Sequence, residues 1–306
     1  MRLAARDRWV DLAPNDSFVF LTGDVGFGVL EPLRDAMGNR FINAGLAEQN
    51  MVSVAAGMAS QGIDAWVYSI APFCYARPFE QIRNDVCLHD LPVKLVGNGG
   101  GYGYGAMGAT HHALEDYGSL LALQNMHVFV PTFSSDLAHL IPRLAAFPHP
   151  AYLRLGRCER PESFEVPAYA PWRKLLDGEA SVVVGLGPLV GSLLEPLGAL
   201  ARNDRPQVWA LSELPLEANP IPHELIAALE QTARLCVVEE HVAQGGMGQG
   251  LAHLLLKSGV QLEAFEHVCA QGYPSATYGS QQFHRRECGL DPGSIQKTVE
   301  QLQVRP

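Results

Sequence analysis

The sequence predicts an α/β protein with two open, mostly parallel-sheet domains. In each half of the 306 residues, short runs rich in β-branched residues alternate with helical patterns, as in parallel sheets covered by helices. Between the halves, residues 158–172 lose this pattern and contain Pro161, Pro167 and Pro171. Chains of this length usually form two domains. We therefore expect one domain over 1–162, a linker over 163–176 and a second domain over 177–306.

Each half supplies four candidate strands. They cover 65–70, 93–97, 127–131 and 151–155 in the first half, and 181–185, 207–211, 234–239 and 261–266 in the second. Between strands, Phe79, Ile82 and Val86 share one face of a predicted helix. The segment 134–136, Ser-Ser-Asp, can cap another helix, which Pro142 would kink.

Composition excludes several functions. The formal charge of −10 leaves no basic stripe for a nucleic-acid backbone. We expect no signal peptide or membrane span, because residues 1–16 are charged and the longest apolar run, 181–194, is broken by three glycines. The six cysteines are far apart in the sequence, which favours reduced thiols in a cytoplasmic protein over disulfides or a zinc site.

A predicted helix opening at Glu48 carries an apolar face. Met51, Val54, Ala55 and Met58 recur at helical spacing after this glutamate. A carboxylate beside so apolar a face is costly unless it receives a hydrogen bond. Glu48 is therefore either a solvated first-turn glutamate favoured by the helix dipole or a functional carboxylate.

One glycine pattern approximates a nucleotide site. Gly185, Gly187 and Gly191 follow a predicted strand, and Glu213 follows the next one. A dinucleotide fingerprint has this order, but here the glycine spacing differs by one residue. We therefore expect no nucleotide at this turn.

Six separated motifs share one order and spacing with a known family. They cover 41–50, 68–83, 108–116, 123–126, 237–241 and 245–248. Together they resemble the transketolase family of thiamine diphosphate enzymes, and several motifs in one order are more specific than any one alone. The resemblance implies a pyrimidine-binding domain over 1–162, followed by the family's C-terminal domain over 177–306.

The resemblance also implies a split enzyme. The family holds magnesium and diphosphate through a Gly-Asp-Gly…Asn signature on another domain, whereas Gly23, Asp24 and Val25 lack the third glycine. We expect the diphosphate and Mg²⁺ ligands on a partner chain, an N-terminal transketolase subunit, in an α2β2 assembly. No metal ligand is expected on the present chain.

Cofactor contacts carry over residue by residue. Glu48 aligns with the carboxylate that bonds to the aminopyrimidine ring and favours its imino form by proton exchange. Phe73 and Tyr75 are the candidates for aromatic contact with that ring, although only Tyr75 matches in strict register and Phe73 could pack in the core. Arg77 is a candidate substrate ligand, or it pairs with Glu80 or Asp85 on its own helix.

The residues at the substrate-contacting positions differ more from the family pattern than the cofactor contacts do. His111 aligns with the histidine facing the reacting carbonyl, and the adjacent His112 would point elsewhere. Four residues before His111, where relatives have an aspartate that contacts a sugar hydroxyl, this chain has Met107. Arg154 and Arg157 suit a phosphate, or they are surface charges. Met107 predicts an acceptor aldehyde without the usual 2-hydroxyl, or a branched one.

Three functions are compatible with these residues. The first is transfer of a two-carbon ketol unit from a ketose, expected to be phosphorylated, to an aldehyde by a two-chain transketolase. The second is a related thiamine enzyme, of the deoxyxylulose-phosphate synthase or 2-oxoacid dehydrogenase β-subunit kind. The third is a non-catalytic assembly partner, against which the retention of Glu48 and His111 argues.

Overall fold

Two open sheets form the core of the protein, and most of their strands are buried apolar runs. The computed structural model describes residues 1–304. Its strands are β1 (Phe18–Thr22), β2 (Phe41–Asn43), β3 (Asp64–Ile70), β4 (Lys94–Asn98), β5 (His127–Phe129), β6 (Ala151–Leu155), β7 (Trp172–Leu176), β8 (Val182–Leu186), β9 (Gln207–Leu211), β10 (Glu213–Leu214), β11 (Arg234–Glu239) and β12 (Ala264–Cys269).

The strand order confirms the predicted fold class. The first sheet has seven strands in the order β10-β5-β6-β4-β3-β1-β2, and the second has five in the order β12-β11-β8-β9-β7. All neighbouring strands are parallel except the pairs β10–β5 and β7–β9. Such sheets are buried on both faces and need helical cover.

Helices supply that cover. They are α1 (Arg2–Leu12), α2 (Glu31–Met37), α3 (Glu48–Ala59), α4 (Ala71–Tyr75), α5 (Phe79–Gln81), α6 (Asp116–Leu121), α7 (Leu137–Ala145), α8 (Leu194–Gly198), α9 (His223–Thr232), α10 (Met247–Lys257), α11 (Gln281–Glu287) and α12 (Pro292–Val304). A π-helical stretch, Ile82–Cys87, continues from α5. Short 3₁₀ turns lie at Gly38–Arg40, Gly105–Met107, Ser134–Asp136, Gly187–Leu193 and Leu216–Ala218. No helix within residues 1–304 is both long and apolar enough to cross a membrane.

Four observed strands, β1, β2, β7 and β10, have no counterpart among the predicted ones, although β1 is a fully buried apolar run. Strands β6, β9 and β11 have the predicted bounds, whereas β12 begins three residues later than predicted. β2 is only three residues long and half-buried, so its period is too short to recognise. The helix predicted around Ile82 is partly π-helical.

The predicted linker, 163–176, contains β7. Trp172 and Arg173 of this strand are buried, and Arg173 forms two hydrogen bonds of 2.6–2.7 Å with the buried Asp136 of the first half. β10 also departs from the predicted order, because it lies in the second half but completes the first sheet. The division into domains at 162 and 177 stays a prediction.

The segment Glu239-Glu240-His241, at the end of β11, joins the two halves. Tyr117 donates a hydrogen bond from its hydroxyl to Glu239, and Gly118 donates from its N–H to His241 Nε2 at 3.2 Å. All three residues of the segment are buried. The segment 239–241 of the second half therefore holds Tyr117 and Gly118 of the first half in place.

Candidate active site

Glu48 lies at the first position of α3 and is buried. Its side chain is only 3% exposed, and Arg77 donates a hydrogen bond from Nη1 to Glu48 Oε1 at 2.8 Å. The solvated-glutamate interpretation is therefore wrong. Pairing of Arg77 with Glu80 or Asp85 is also not observed, since Asp85 instead accepts a hydrogen bond from Ser53 at 2.6 Å.

Phe73 and His111 extend this pair into a continuous row. The guanidinium carbon of Arg77 lies 3.8 Å from the centre of the Phe73 ring, a cation–π contact. The Phe73 ring meets the His111 ring edge-on, with centroids 5.2 Å apart. We call Glu48, Arg77, Phe73 and His111 the active-site row. Beside it lies an open cleft lined by residues 46–50 and Arg77.

His111 is oriented by its own loop. Thr110 Oγ1 lies 2.9 Å from His111 Nδ1, which leaves Nε2 for other partners. The Tyr104 ring lies 5.9 Å from the His111 ring, and the Tyr104 hydroxyl accepts a hydrogen bond from Asn98 at 2.7 Å. No pattern in the sequence indicates this Asn98–Tyr104 contact, because only the fold brings the two side chains together.

Tyr75 does not join the row. Helix α4 turns Ala71, Cys74 and Tyr75 into the core, and the Tyr75 hydroxyl donates to Glu115 at 3.3 Å. Burial raises the pKa of Tyr75 above its ordinary value. Among the contacts of residues 1–304, none connects Tyr75 with Glu48 or His111. The less buried side of this short helix carries Phe73, and the choice between Phe73 and Tyr75 as the aromatic contact of the ring stays a prediction.

Arg154 is not available to a substrate. It is buried, and it donates to Asp116 Oδ2 at 2.7 Å and to the carbonyls of Ala113 and Glu240 at 2.9 Å. Although burial alone would lower its pKa, the Asp116 carboxylate raises the pKa of Arg154. The predicted phosphate contact is contradicted, since these bonds hold the guanidinium between the two halves of the chain.

Arg157 and Met107 are both accessible. The Arg157 side chain is 71% exposed, and its nearest carboxylate, that of Glu159, is 3.8 Å away. Met107 is 55% exposed and ends the turn that precedes Gly108 and the His111 loop. No described contact joins either residue to the active-site row.

The row brings three chemical functions together beside one cleft. Glu48 is a buried acceptor, Phe73 is a flat apolar surface and the His111 ring can donate a hydrogen bond. Within the described part of the chain, no group of three or more His, Cys, Asp or Glu side chains is placed to hold a metal ion.

Comparison with known proteins decides the family. Residues 1–161 match the family described as transketolase, pyrimidine binding domain. The chain belongs to the transketolase family. This family consists of thiamine diphosphate-dependent enzymes, and its relatives support a transferase role.

Relatives of this transketolase-family chain include split enzymes. One subunit of an apulose-4-phosphate transketolase, from Phocaeicola vulgatus, is 30% identical, covering 97% of this chain and 96% of that protein. The subunit of the same name from Actinobacillus succinogenes is 28% identical over 96% of this chain and 93% of its own length. A 1-deoxy-D-xylulose-5-phosphate synthase of Geobacter metallireducens is 30% identical over 94% of this chain, but over only 46% of that protein.

Solved structures agree with these relatives. A split-gene transketolase, described as an inactive β4 tetramer, has a TM-score of 0.83 at 28% identity and covers 99% of this chain and 97% of that one. Transketolase from Leishmania mexicana, at 18% identity, shares the fold with a TM-score of 0.76, and the match covers 45% of that chain. The predicted resemblance to the C-terminal subunit of a split transketolase-family enzyme is confirmed.

Proposed function

We propose that this chain is the C-terminal subunit of a two-chain, thiamine diphosphate-dependent transketolase. It moves a two-carbon ketol unit from a ketose phosphate to an aldehyde. The observation that carries this proposal is the active-site row, in which a buried carboxylate, an aromatic ring and a histidine follow one another beside an open cleft. In a non-catalytic assembly partner, nothing would compensate the cost of burying the Glu48 carboxylate beside a cleft.

The side chains of the row fit the aminopyrimidine end of thiamine diphosphate. Arg77 occupies Glu48 Oε1, and no described residue forms a hydrogen bond with Glu48 Oε2. That oxygen can accept a hydrogen bond from a ring nitrogen, while Phe73 offers an apolar surface to the ring. When bound, thiamine diphosphate supplies the carbon nucleophile for the ketose carbonyl.

Glu48 and His111 have separate roles, one toward the cofactor and the other toward the substrate. Glu48 holds and moves the proton at the pyrimidine nitrogen, as a positioned general acid–base must. His111 has Nδ1 next to Thr110 and can donate a hydrogen bond from Nε2 to the substrate oxygen. Arg77 orients the Glu48 carboxylate through the bond to Oε1 and is therefore a positioning residue.

The partner and the substrate are the finer parts of the proposal. An N-terminal subunit supplies the diphosphate and Mg²⁺ contacts, in an α2β2 assembly. Arg157 contacts the substrate phosphate, since an exposed guanidinium suits that anion. The two relatives named for apulose 4-phosphate make that sugar phosphate the first donor to assay.

A deoxyxylulose-phosphate synthase-type reaction is the second candidate. The Geobacter metallireducens synthase covers nearly all of this chain at 30% identity, which supports a shared site. The two reactions differ in the donor, which is a ketose for ketol transfer and a 2-oxoacid for the synthase. Assaying both donors with one acceptor separates them.

Reconstitution tests the proposal. The purified chain alone should neither turn over substrate nor bind thiamine diphosphate tightly, and addition of the N-terminal subunit with Mg²⁺ should produce ketol transfer. The interface formed should bury more than about 2,000 Å², as obligate interfaces do. Calorimetry that detects magnesium-dependent, sub-micromolar binding of the cofactor to the isolated chain would contradict the split-site proposal.

A further inference from the structure

The loop that carries His111 is closed at its base and anchored on the second half of the chain. Gly101 and Ala113 exchange two backbone hydrogen bonds of 2.9 and 3.0 Å, which close the loop 101–113. Just inside this closure, Tyr102 donates from its N–H to Glu240 Oε1 at 2.7 Å and from its hydroxyl to the Gly272 carbonyl at 2.7 Å. The base of the loop is therefore fixed by residues that follow β11.

His112 anchors the middle of the same loop. Its ring is buried, with Nε2 2.8 Å from the Gly105 carbonyl and Nδ1 2.9 Å from the Tyr273 hydroxyl. The carbonyl can only accept, so Nε2 carries the proton and Nδ1 accepts from Tyr273. Burial lowers the pKa of His112, which favours this neutral form.

Close packing leaves the anchored turn little freedom. A Cβ at Gly105 would lie 3.1 Å from the Gly279 carbonyl oxygen, so the turn Gly105–Met107 rests directly on the backbone before α11. The Tyr273 ring is stacked on His112 with centroids 5.7 Å apart, and His284 meets His112 edge-on at 5.0 Å. The two adjacent histidines thus face opposite ways. The His111 ring contacts Phe73, and the His112 ring contacts residues of the second half.

We propose that Tyr273 is a positioning residue of the active site, because its hydrogen bond to His112 fixes the loop that presents His111. This inference rests on the proposed function of His111 and deepens it. It gives the second half of the chain a part in catalysis, since the hydroxyl of Tyr273 is the only hydrogen-bond partner of His112 Nδ1 among the described residues.

Replacement of one hydroxyl tests the proposal. Tyr273→Phe keeps the ring and removes the hydrogen bond, so in the reconstituted holoenzyme kcat should fall about tenfold while the donor KM changes less than about twofold. Tyr278→Phe is the matched control, because the Tyr278 ring lies in the same segment and its hydroxyl has no described hydrogen bond. If Tyr273→Phe fails to fold, His112→Gln provides a second test, because it alters the other partner of the bond. This variant should show the same loss of kcat.

A double-mutant cycle distinguishes a role of Tyr273 in positioning His111 from a general loss of structure. If Tyr273 acts through His111, Tyr273→Phe should have no further effect on kcat in a His111→Asn background. An equal tenfold loss in that background, or an unchanged kcat in the single variant, would overturn the proposal.

A measurement on the full chain without its partner keeps this inference distinct from the proposed function. Amide hydrogen exchange of residues 105–112 should be about fivefold faster or more in Tyr273→Phe than in wild type, and unchanged in Tyr278→Phe. If the wild-type pair shows no ketol transfer, the proposed function fails, and the exchange rates still decide whether Tyr273 fixes the loop. Unchanged exchange in Tyr273→Phe would overturn that part directly.

Discussion

Arg77 and Glu48 form an ion pair across the cleft of the first domain, with Nη1 and Oε1 2.8 Å apart. The arginine side chain is 46% exposed and the glutamate 3%. A buried carboxylate without such a donor would be costly. Arg77 therefore stabilises Glu48 from the solvent side. The same guanidinium also contacts the Phe73 ring, so one cation holds both the carboxylate and the aromatic residue of the site.

Removal of the Glu48 charge should abolish most activity. Glu48→Gln keeps the side-chain shape but cannot exchange the pyrimidine proton, so turnover of the reconstituted enzyme should fall by about 10² to 10⁴. Folding should survive, because the amide oxygen can still accept from Arg77. Steady-state turnover and exchange of the thiazolium C2 proton are the measurements, with Glu80→Gln as an exposed control. Near wild-type values of both would show that Glu48 is not the proton-exchanging group.

Arg154, which lies within β6, and Arg157, which follows that strand, should behave differently. Arg154→Met leaves the buried Asp116 carboxylate without its cation and should cost about 3–5 kcal/mol of unfolding free energy in urea titrations. Arg157→Met should leave stability nearly unchanged and raise the KM for a phosphorylated donor about tenfold, through loss of a charge-assisted hydrogen bond. An Arg154→Met protein of wild-type stability, with only its KM raised, would reverse these assignments.

Met107 should control acceptor choice. A carboxylate at this position favours aldehydes that offer a hydroxyl and is left unpaired by others, whereas methionine imposes no such penalty. Wild type should therefore use 2-deoxy or branched aldehydes well, and Met107→Asp should favour glyceraldehyde 3-phosphate. The measurement is kcat/KM for each aldehyde. A preference of about a hundredfold for the 2-hydroxy aldehyde that is the same in both proteins would exclude this role.

Acid should weaken the contact between His241 and Gly118. His241 donates from Nδ1 to the Val242 carbonyl at 2.7 Å and accepts the Gly118 N–H on Nε2 at 3.2 Å, so only the neutral ring satisfies both. Burial lowers the pKa of His241 from its ordinary value of 6.5. The unfolded chain therefore binds this proton at higher pH than the folded chain does. Stability should fall as pH drops below about 6.5 and should level off once folded His241 is protonated.

Thermal denaturation between pH 8 and pH 5 measures this effect. Burial also lowers the pKa of His112, His127 and His284, which adds to the loss in the same direction. The variant His241→Gln should have a lower Tm at pH 8 and a flatter dependence on pH than wild type. His253→Gln, which removes an exposed imidazole, is the control, and identical pH slopes in all three proteins would contradict the assignment to His241.

The fold class was predictable because most of the buried parallel strands have a strong apolar signal, although β1 was missed despite its apolar run. The helix opening at Glu48 was also predictable, from the spacing of Met51, Ala55 and Met58. The Glu48–Arg77 pair was not, because 29 residues separate the partners and only the packing of α3 against the neighbouring segments brings them together. The burial of Arg154 was missed for a related reason, since its partner Asp116 comes from a helix 38 residues away. Phe73 and Tyr75 lie on opposite sides of a five-residue helix, which is too short for a reliable period.

The short strand β10 has a consequence for how this protein can be divided. It pairs through Glu213 and Leu214 with β5, whose other edge is bonded to β6, and Arg143 of the first half binds Glu213. A fragment cut between the two sheets would expose the free edge of β5, and uncovered strand edges promote self-association. Expression of residues 1–162 alone, without β10, should therefore yield a protein that self-associates more than the full chain does.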